Sequence, residues 1–195
     1  QMSDSTPAQR PRDHLTTFEE LIGPGAVIHK PEDLSPWLHE ARGLYPVAAL
    51  AVLRPANTAE VAKILAYCNS HRIGVVPLGG NTGLVGGTAA QAGQVLLSLD
   101  RMKSIRAVDP LNATITLDAG CILQNAQQAA LEAGLYLPLS LAAEGSAMIG
   151  GVLATNAGGI NVLRYGTARD FCLGIEAVTA EGEVLDALDG LRKNN

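Results

Sequence analysis

Glycine is the residue type most concentrated where this chain could do chemistry. Twelve of its 21 glycines fall in two stretches: Gly79, Gly80, Gly83, Gly86, Gly87 and Gly93, then Gly145, Gly150, Gly151, Gly158, Gly159 and Gly166. Only glycine takes positive φ without steric cost, so such clusters mark backbone that turns sharply or lies close to something. The first stretch, Pro77-Leu78-Gly79-Gly80-Asn81-Thr82-Gly83-Leu84-Val85-Gly86-Gly87, lacks the lysine of a G-x-x-x-x-G-K-[ST] phosphate loop. Its spacing is also not the G-x-G-x-x-G of a dinucleotide fingerprint. A concave nest of amides able to hold an anion remains, with Asn81 and Thr82 as side-chain donors. No Lys or Arg stands between Arg72 and Arg101, so a phosphate there would rest on neutral dipoles. The second stretch, Glu144 to Gly159, has small residues that let backbone approach a flat ring, with Thr155 and Asn156 as donors. Taken alone, each cluster is equally well explained as a tight turn.

Other reactive residue types are less well placed. Cys68, Cys121 and Cys172 lie 53 and 51 residues apart, and His14, His29, His39 and His71 all precede the glycine stretches without metal-ligand spacing. The thiols are therefore expected to be buried or inert, in a reducing compartment. A formal charge of −5, from 14 Lys plus Arg against 19 Asp plus Glu, comes with no basic run. That disfavours nucleic acid and anionic membranes as partners. The charge-free window Gly145 to Leu163 has the length of a membrane span, yet it holds five glycines together with Ser146, Thr155, Asn156 and Asn161. No transmembrane segment is expected. Gln1 to Asp13 is polar, without the apolar core of a signal peptide, so the reading is of a soluble, cytoplasmic protein.

The elements that must position the glycine stretches come next. Residues 1–45 show no clean period and are expected to form an N-terminal arm packed on the surface, disordered before about Leu15. Ala48 to Leu53 is an apolar run of strand length. Asn57 and Glu60 stand in a capping-box arrangement ahead of Val61, Ile64, Leu65 and Cys68 at helical spacing, with Gly74 as the expected cap. Val75 to Leu78 is a second strand running into the first glycine loop, so the unit is strand, helix, strand with a right-handed crossover. Val95 to Leu99 and Thr114 to Leu117 read as strands. Ile122 to Ala133 reads as a helix with Ile122, Ala126, Ala129 and Ala133 inward and Gly134 closing it. Leu135 to Leu139 reads as a strand, and Ile175 to Ala180 with Glu183 to Ala187 as a hairpin around Glu181-Gly182. Strands outnumber helices without alternating with them, which points to an α+β fold.

The ordered blocks Val76 to Gly87, Gly145-Ser146, Ile149-Gly150-Gly151, Ala154 to Gly159, Arg164-Tyr165-Gly166 and Leu191-Arg192-Lys193-Asn194 resemble the PCMH-type FAD-binding domain of the vanillyl-alcohol-oxidase flavoproteins. Within that family the chain is most similar to the D-2-hydroxyglutarate and D-lactate dehydrogenase branch. The resemblance runs from about Val47 to Asn195. It implies a two-lobed α+β fold, a small βαβ lobe beside a larger mixed or antiparallel sheet with helices. Residues 46–195 would then be an FAD-binding domain truncated at its C-terminal end. It further implies that Pro77, Leu78, Gly79, Gly80, Asn81, Thr82, Gly83 and Leu84 wrap the FAD diphosphate, so that a side chain at Gly80 would fall where the diphosphate lies. Pro138, Gly145, Ser146, Gly150, Thr155, Asn156 and Gly159 would line the isoalloxazine side. Relatives with covalent flavin carry a histidine in the first loop; Asn81 stands there in this chain, which implies non-covalent FAD.

The same resemblance implies what lies elsewhere. In the family, a substrate-binding half supplies a histidine base, Arg and Lys contacts to the substrate carboxylate and often a metal. No catalytic base and no metal ligand are therefore expected among these 195 residues, although Arg164 and Tyr165 could border the substrate. The implied full-length reaction oxidises a small D-2-hydroxy acid by hydride transfer to flavin N5 and on to an unidentified acceptor; the fragment alone is expected to bind FAD weakly or not at all and to be inactive. Homodimerisation of a full-length form is compatible with this picture. Alternatives that remain open are a non-catalytic flavin or nucleotide module complete at this length, and another oxidoreductase of the same fold, such as a glycolate oxidase subunit.

Overall fold

A computed structural model describes residues 11–188. In chain order these form α1 (Pro11–Ile22), β1 (Val27–Ile28), α2 (Pro31–Leu34), β2 (Ala51–Leu53), α3 (Thr58–Ser70), β3 (Val75–Leu78), β4 (Val95–Ser98), β5 (Ile105–Asp109) and β6 (Thr114–Leu117). They continue with α4 (Leu123–Glu132), α5 (Ile149–Ala154), α6 (Val162–Tyr165), β7 (Glu176–Val178) and β8 (Val184–Asp186). The blocks 191–194 and the N-terminal residues to Arg10, where most of the expected disorder falls, lie outside the described residues.

The first lobe is a sheet of order β1-β2-β4-β3, with β1 antiparallel to β2 and β4 parallel to both its neighbours. The expected strand-helix-strand unit is present, but β2 and β3 do not pair, because β4 sits between them. All four residues of β4 are buried, as a central strand covered on both faces requires. Pro77 is tolerated because β3 is an edge strand, where a missing N–H breaks no ladder. Alternation along the strands sorts the core. Ala51, Leu53, Val95 and Leu97 join Ile64 and Cys68 of α3 on one face, while Val52, Leu78 and Leu96 join Leu34 and Ala90 on the other. The connection from β3 to β4, residues 79–94, thus covers the second face without a helix of its own.

The expected surface arm is instead part of this core. Leu15, Phe18 and Ile22 recur at helical spacing in α1, and Phe18 is 0% exposed, its ring edge-on to Tyr67 at 5.4 Å. At α3, Asn57 Oδ1 accepts from the Glu60 amide at 2.9 Å, but the Glu60 carboxylate accepts from the Ala56 amide and from Asn57 Nδ2, not from the Asn57 backbone amide of a capping box. The helix runs to Ser70 with His71 as its cap, and the left-handed residue that closes it is Arg72, at φ +55°, not Gly74; the Ile73 amide donates to Cys68 O.

The second lobe holds the antiparallel pairs β5–β6 and β7–β8, helices α4 to α6, and its own core of Leu123, Leu139, Ala147, Val152 and Ala168. Mixed helices and sheets make the fold α+β, as expected, but among the described residues the antiparallel part is two separate two-stranded pairs rather than one larger sheet, and the largest sheet is that of the first lobe. Helix α4 ends at Gly134 with φ +75°, but buries Leu123, Ala126 and Ala130, a face one residue displaced from the expected one. Residues 135–139 form no strand. Side chains satisfy their carbonyls instead: Gln127 Nε2 donates to Leu139 O at 2.7 Å and Asn161 Nδ2 to Pro138 O at 3.1 Å. The β7–β8 connection is residues 179–183; the Thr179 amide donates to Glu183 O, leaving three residues, 180–182, in the turn where two were expected, with Gly182 at φ +84°.

Candidate functional site

The first glycine stretch leaves the carboxyl end of β3, where parallel strands present ligand sites. Among the described residues, the amides of 79 through 88 donate no hydrogen bond to a protein acceptor; the backbone bonds at this end of the loop run from Ala89 N to Gly86 O and from Ala90 N to Thr88 O. A row of free donors in a neutral loop fits an anionic group such as a diphosphate. Gly83 has no heavy atom within 4 Å of where a Cβ would stand, so its neighbourhood is open. Leu84 and Val85, 59% and 81% exposed, form the tip. Leu78, by contrast, is buried beneath the loop and serves packing.

The two glycine stretches meet. A Cβ on Gly80 would stand 1.9 Å from Ser146 O and 3.2 Å from Ala147 Cα, and one on Gly79 would touch Met148 Cβ at 3.6 Å. Gly80 is therefore glycine because the second stretch lies against it, and its missing side chain points at protein backbone rather than at ligand space. Gly150 has a similar reason: its amide donates to Ala119 O at 2.8 Å and a Cβ would come within 2.8 Å of Ala119 Cβ, so it seats α5 on the second lobe. Gly159, at φ +105°, lies against Ser140 O and brings residues 156–161 beside Pro138. Gly145 and Ser146 are exposed at the turn before α5.

The expected side-chain donors are largely engaged within the protein. Asn81 Nδ2 donates to His39 O at 2.9 Å, and Asn81 Oδ1 accepts from Thr88 Oγ1 at 2.7 Å. Thr155 Oγ1 donates to Gly151 O, and Asn156 Oδ1 accepts from the Arg169 amide. Arg169 also donates to Leu153 O and Ala154 O, closing the carboxyl end of α5 with positive charge. Sequence reasoning passed over residues 39–45, whose signal was Tyr45, an aromatic residue outside any period between Gly43 and Pro46.

At the ends of β2 and β4, Arg54 holds Asp100 through two nitrogens, at 2.6 and 3.0 Å, and lies 5.7 Å over the Trp37 ring. Burial pushes the Asp100 carboxyl up, but the Arg54 hydrogen bonds and charge outweigh it and hold the group below the usual carboxylate range. Arg106 bridges Asp118 at 2.7 Å and Glu176 at 3.2 Å. It borders an apolar cavity of about 660 Å³ that does not reach residues 77–84. Cys68 and Cys121 are buried and Cys172 half-buried, all unpaired; burial pushes the Cys68 thiol up to about 12. Among the described residues, no three His, Cys, Asp or Glu side chains are grouped to hold a metal ion, and no helix is long and apolar enough to cross a membrane.

Comparison with known proteins matches residues 49–188 to the family described as FAD binding domain. A probable mitochondrial D-2-hydroxyglutarate dehydrogenase of Oryza sativa subsp. indica is 43% identical over 183 residues, covering 94% of this chain and 33% of its own length. A putative mitochondrial D-lactate dehydrogenase of Schizosaccharomyces pombe is 41% identical over 192 residues, covering 93% and 36%. The chain spans about a third of the length of these curated relatives. An alkyldihydroxyacetonephosphate synthase structure superposes with TM-score 0.80 at 18% identity, over 96% of this chain and 36% of the other, a likeness of fold. The cytoplasmic expectation is corrected by the relatives, which are named mitochondrial. Unpaired, buried thiols distinguish reducing from oxidising surroundings, not one reducing compartment from another.

Proposed function

The chain belongs to the FAD binding domain family, with FAD as its cofactor, and we propose that it is the flavin-holding portion of a dehydrogenase that oxidises a D-2-hydroxy acid of the hydroxyglutarate or lactate type. The observation that carries this reading is the row of uncommitted amides at 79–88 lying directly against the 145–148 turn. In this reading the amides of Gly79 to Leu84 hold the diphosphate, and Thr82, whose hydroxyl stands in the same loop, can add a donor. Pro138, Gly145, Ser146, Gly150, Thr155, Asn156 and Gly159 shape the ring side, several of them by packing rather than by contact. Asn81 in the first loop supports non-covalent attachment.

When bound, the flavin supplies the hydride acceptor. The residues of this chain bind and orient it; the base and the contacts to the substrate carboxylate belong, in this reading, to the length of the relatives that this chain does not span, and residues 46–195 form the FAD-binding portion. The relatives, D-2-hydroxyglutarate and D-lactate dehydrogenases by name, support a 2-hydroxy acid substrate. The protein carrying this chain should be purified yellow, release free FAD on denaturation, and lose its flavin absorbance on addition of D-2-hydroxyglutarate or D-lactate. A colourless protein whose spectrum FAD titration leaves unchanged overturns the assignment of the loop. Flavin that binds but is reduced by neither acid leaves a flavin-binding module and overturns the substrate class.

A further inference from the structure

The amides of 79–88 are free because the loop makes almost no hydrogen bonds of its own, so something outside it must give it shape. We propose that residues 39–45 form an external brace that sets the curvature of this loop, with Asn81 and Glu40 as positioning residues rather than cofactor contacts. The proposal rests on reading the loop as the diphosphate cradle.

Two ties join brace and loop, and a further bond lies just outside both. Asn81 has φ +52°, a region that Asn tolerates better than most non-glycine residues. Its planar amide links His39 O at 2.9 Å to Thr88 Oγ1 at 2.7 Å, so one group fixes the brace and both ends of the amide row together. With both polar atoms so engaged, Asn81 presents its side chain to the protein. The second tie is Tyr45, whose ring carbons lie 2.7 and 2.8 Å from where a Cβ on Gly86 would stand; the ring rests on glycine backbone at φ +72°. Beyond the loop, the Ala48 amide donates to Ala90 O at 2.8 Å.

The brace is itself held closed by Glu40. That side chain is 5% exposed; its Oε2 accepts from the Leu44 amide at 3.0 Å, and its backbone carbonyl accepts from Gly43 at 2.9 Å. Glu40 Oε1 is buried without a partner among the described residues. A buried acceptor left unmatched is unfavourable, so its retention is explained by what the other oxygen closes. The turn 40–44 in this way places the His39 carbonyl and the Tyr45 ring at two points along the loop.

The test uses the whole chain, with backbone ¹⁵N order parameters for the loop and FAD titration by flavin fluorescence. Asn81→Gly keeps access to positive φ but removes both side-chain hydrogen bonds. Order parameters over 82–88 are expected to fall from the rigid range, about 0.85, to below about 0.6, while α3 and β4 keep theirs. FAD affinity should weaken about tenfold, the equivalent of one or two net hydrogen bonds. Glu40→Ala should act in the same direction, and Glu40→Gln, which keeps an acceptor for the Leu44 amide, should restore the loop. Tyr45→Ala, which leaves the turn intact, serves if Glu40→Ala does not fold. Unchanged order parameters in Asn81→Gly overturn the brace. So does a loss of affinity with a rigid loop, which would make Asn81 a direct contact. If the wild-type chain takes up no FAD, affinity is read in the full-length protein carrying it, whose failure to bind FAD overturns the flavin reading, while the order parameters still decide the brace.

Discussion

Gly80→Ala is the substitution whose effect follows most directly from the geometry. Gly80 is not at positive φ, so the change brings no backbone strain; its cost is steric. The new Cβ would stand 1.9 Å from Ser146 O and 2.9 Å from the Ser146 carbonyl carbon. Close-packed interiors leave no slack, so the two glycine stretches must part by about 1 Å before the contact is tolerable. Both partners are backbone, and no side chain can rotate away. Overpacking of this kind costs about 1–3 kcal/mol, and a backbone-on-backbone clash belongs in the upper half of that range. For a chain of this size a loss of about 2–3 kcal/mol lowers Tm by roughly 4–12 °C. Gly83→Ala is the internal control: nothing lies within 4 Å of its Cβ, and its Tm should stay within about 1 °C of wild type. Thermal unfolding followed by circular dichroism compares the three proteins. A Gly80→Ala protein that melts with wild type refutes the seating of Gly80 on Ser146, and with it the claim that this glycine serves the junction rather than the ligand.

Two further outcomes test the first lobe. Phe18→Ala removes a fully buried ring from the α1–α3 contact and should cost about 3–5 kcal/mol in urea unfolding, whereas a loss below about 1 kcal/mol would return residues 11–22 to the surface arm read from sequence. Asp100 has its carboxyl held below the unfolded range by Arg54, so the folded state binds its proton more weakly than the unfolded chain. The stability this contributes is present above the ordinary carboxylate range and is lost as pH falls through the folded value. Asp100→Asn should therefore cost about 1 kcal/mol at neutral pH, a modest figure because the pair is partly exposed, and the gap to wild type should close once the pH has fallen below the folded Asp100 value. A gap that persists there would mean that Asp100 acts by packing.

Local rules carried the elements whose reasons are local. The Asn57 cap, the Val61, Ile64 and Cys68 stripe, the Gly134 terminus and the run Val75 to Leu78 could each be read from side-chain period or glycine placement, and the structure has them. The reading failed where the cause was distant in sequence. Nothing in Leu135 to Leu139 reveals that Gln127 and Asn161 will occupy its carbonyls in place of a neighbouring strand. The insertion of β4 between β2 and β3 depends on pairing that no single segment encodes. Within the site, the clustering of glycine marked both stretches, but not the reason for each member. Gly80 and Gly159 are required by close approach to Ser146 and Ser140, Gly150 by Ala119, and Gly83 by neither. Asn81 was legible as a polar residue in the loop, and its partners His39 and Thr88 only from the fold.

The order of strands in the first lobe also bears on how the chain can be made. The strand at the centre of its sheet, β4, is the last of the four to be synthesised, while β2 and β3 flank it. Until Val95 to Ser98 has left the ribosome, β3 has no partner and β2 has only the two-residue β1 beside it, so α3 packs on an open frame. The glycine loop is the tether that lets β4 enter that gap, and loop closure must precede the pairing that rewards it. A nascent chain halted before residue 95 therefore holds exposed strand edges on both sides of an empty slot, a state open to aggregation and to holdase chaperones. Emergence of four further residues, Val95 to Ser98, closes it. The sixteen residues 79–94 thus connect two events in the life of the molecule: they thread the central strand home during folding, and the same backbone afterwards forms the loop proposed above to hold the cofactor.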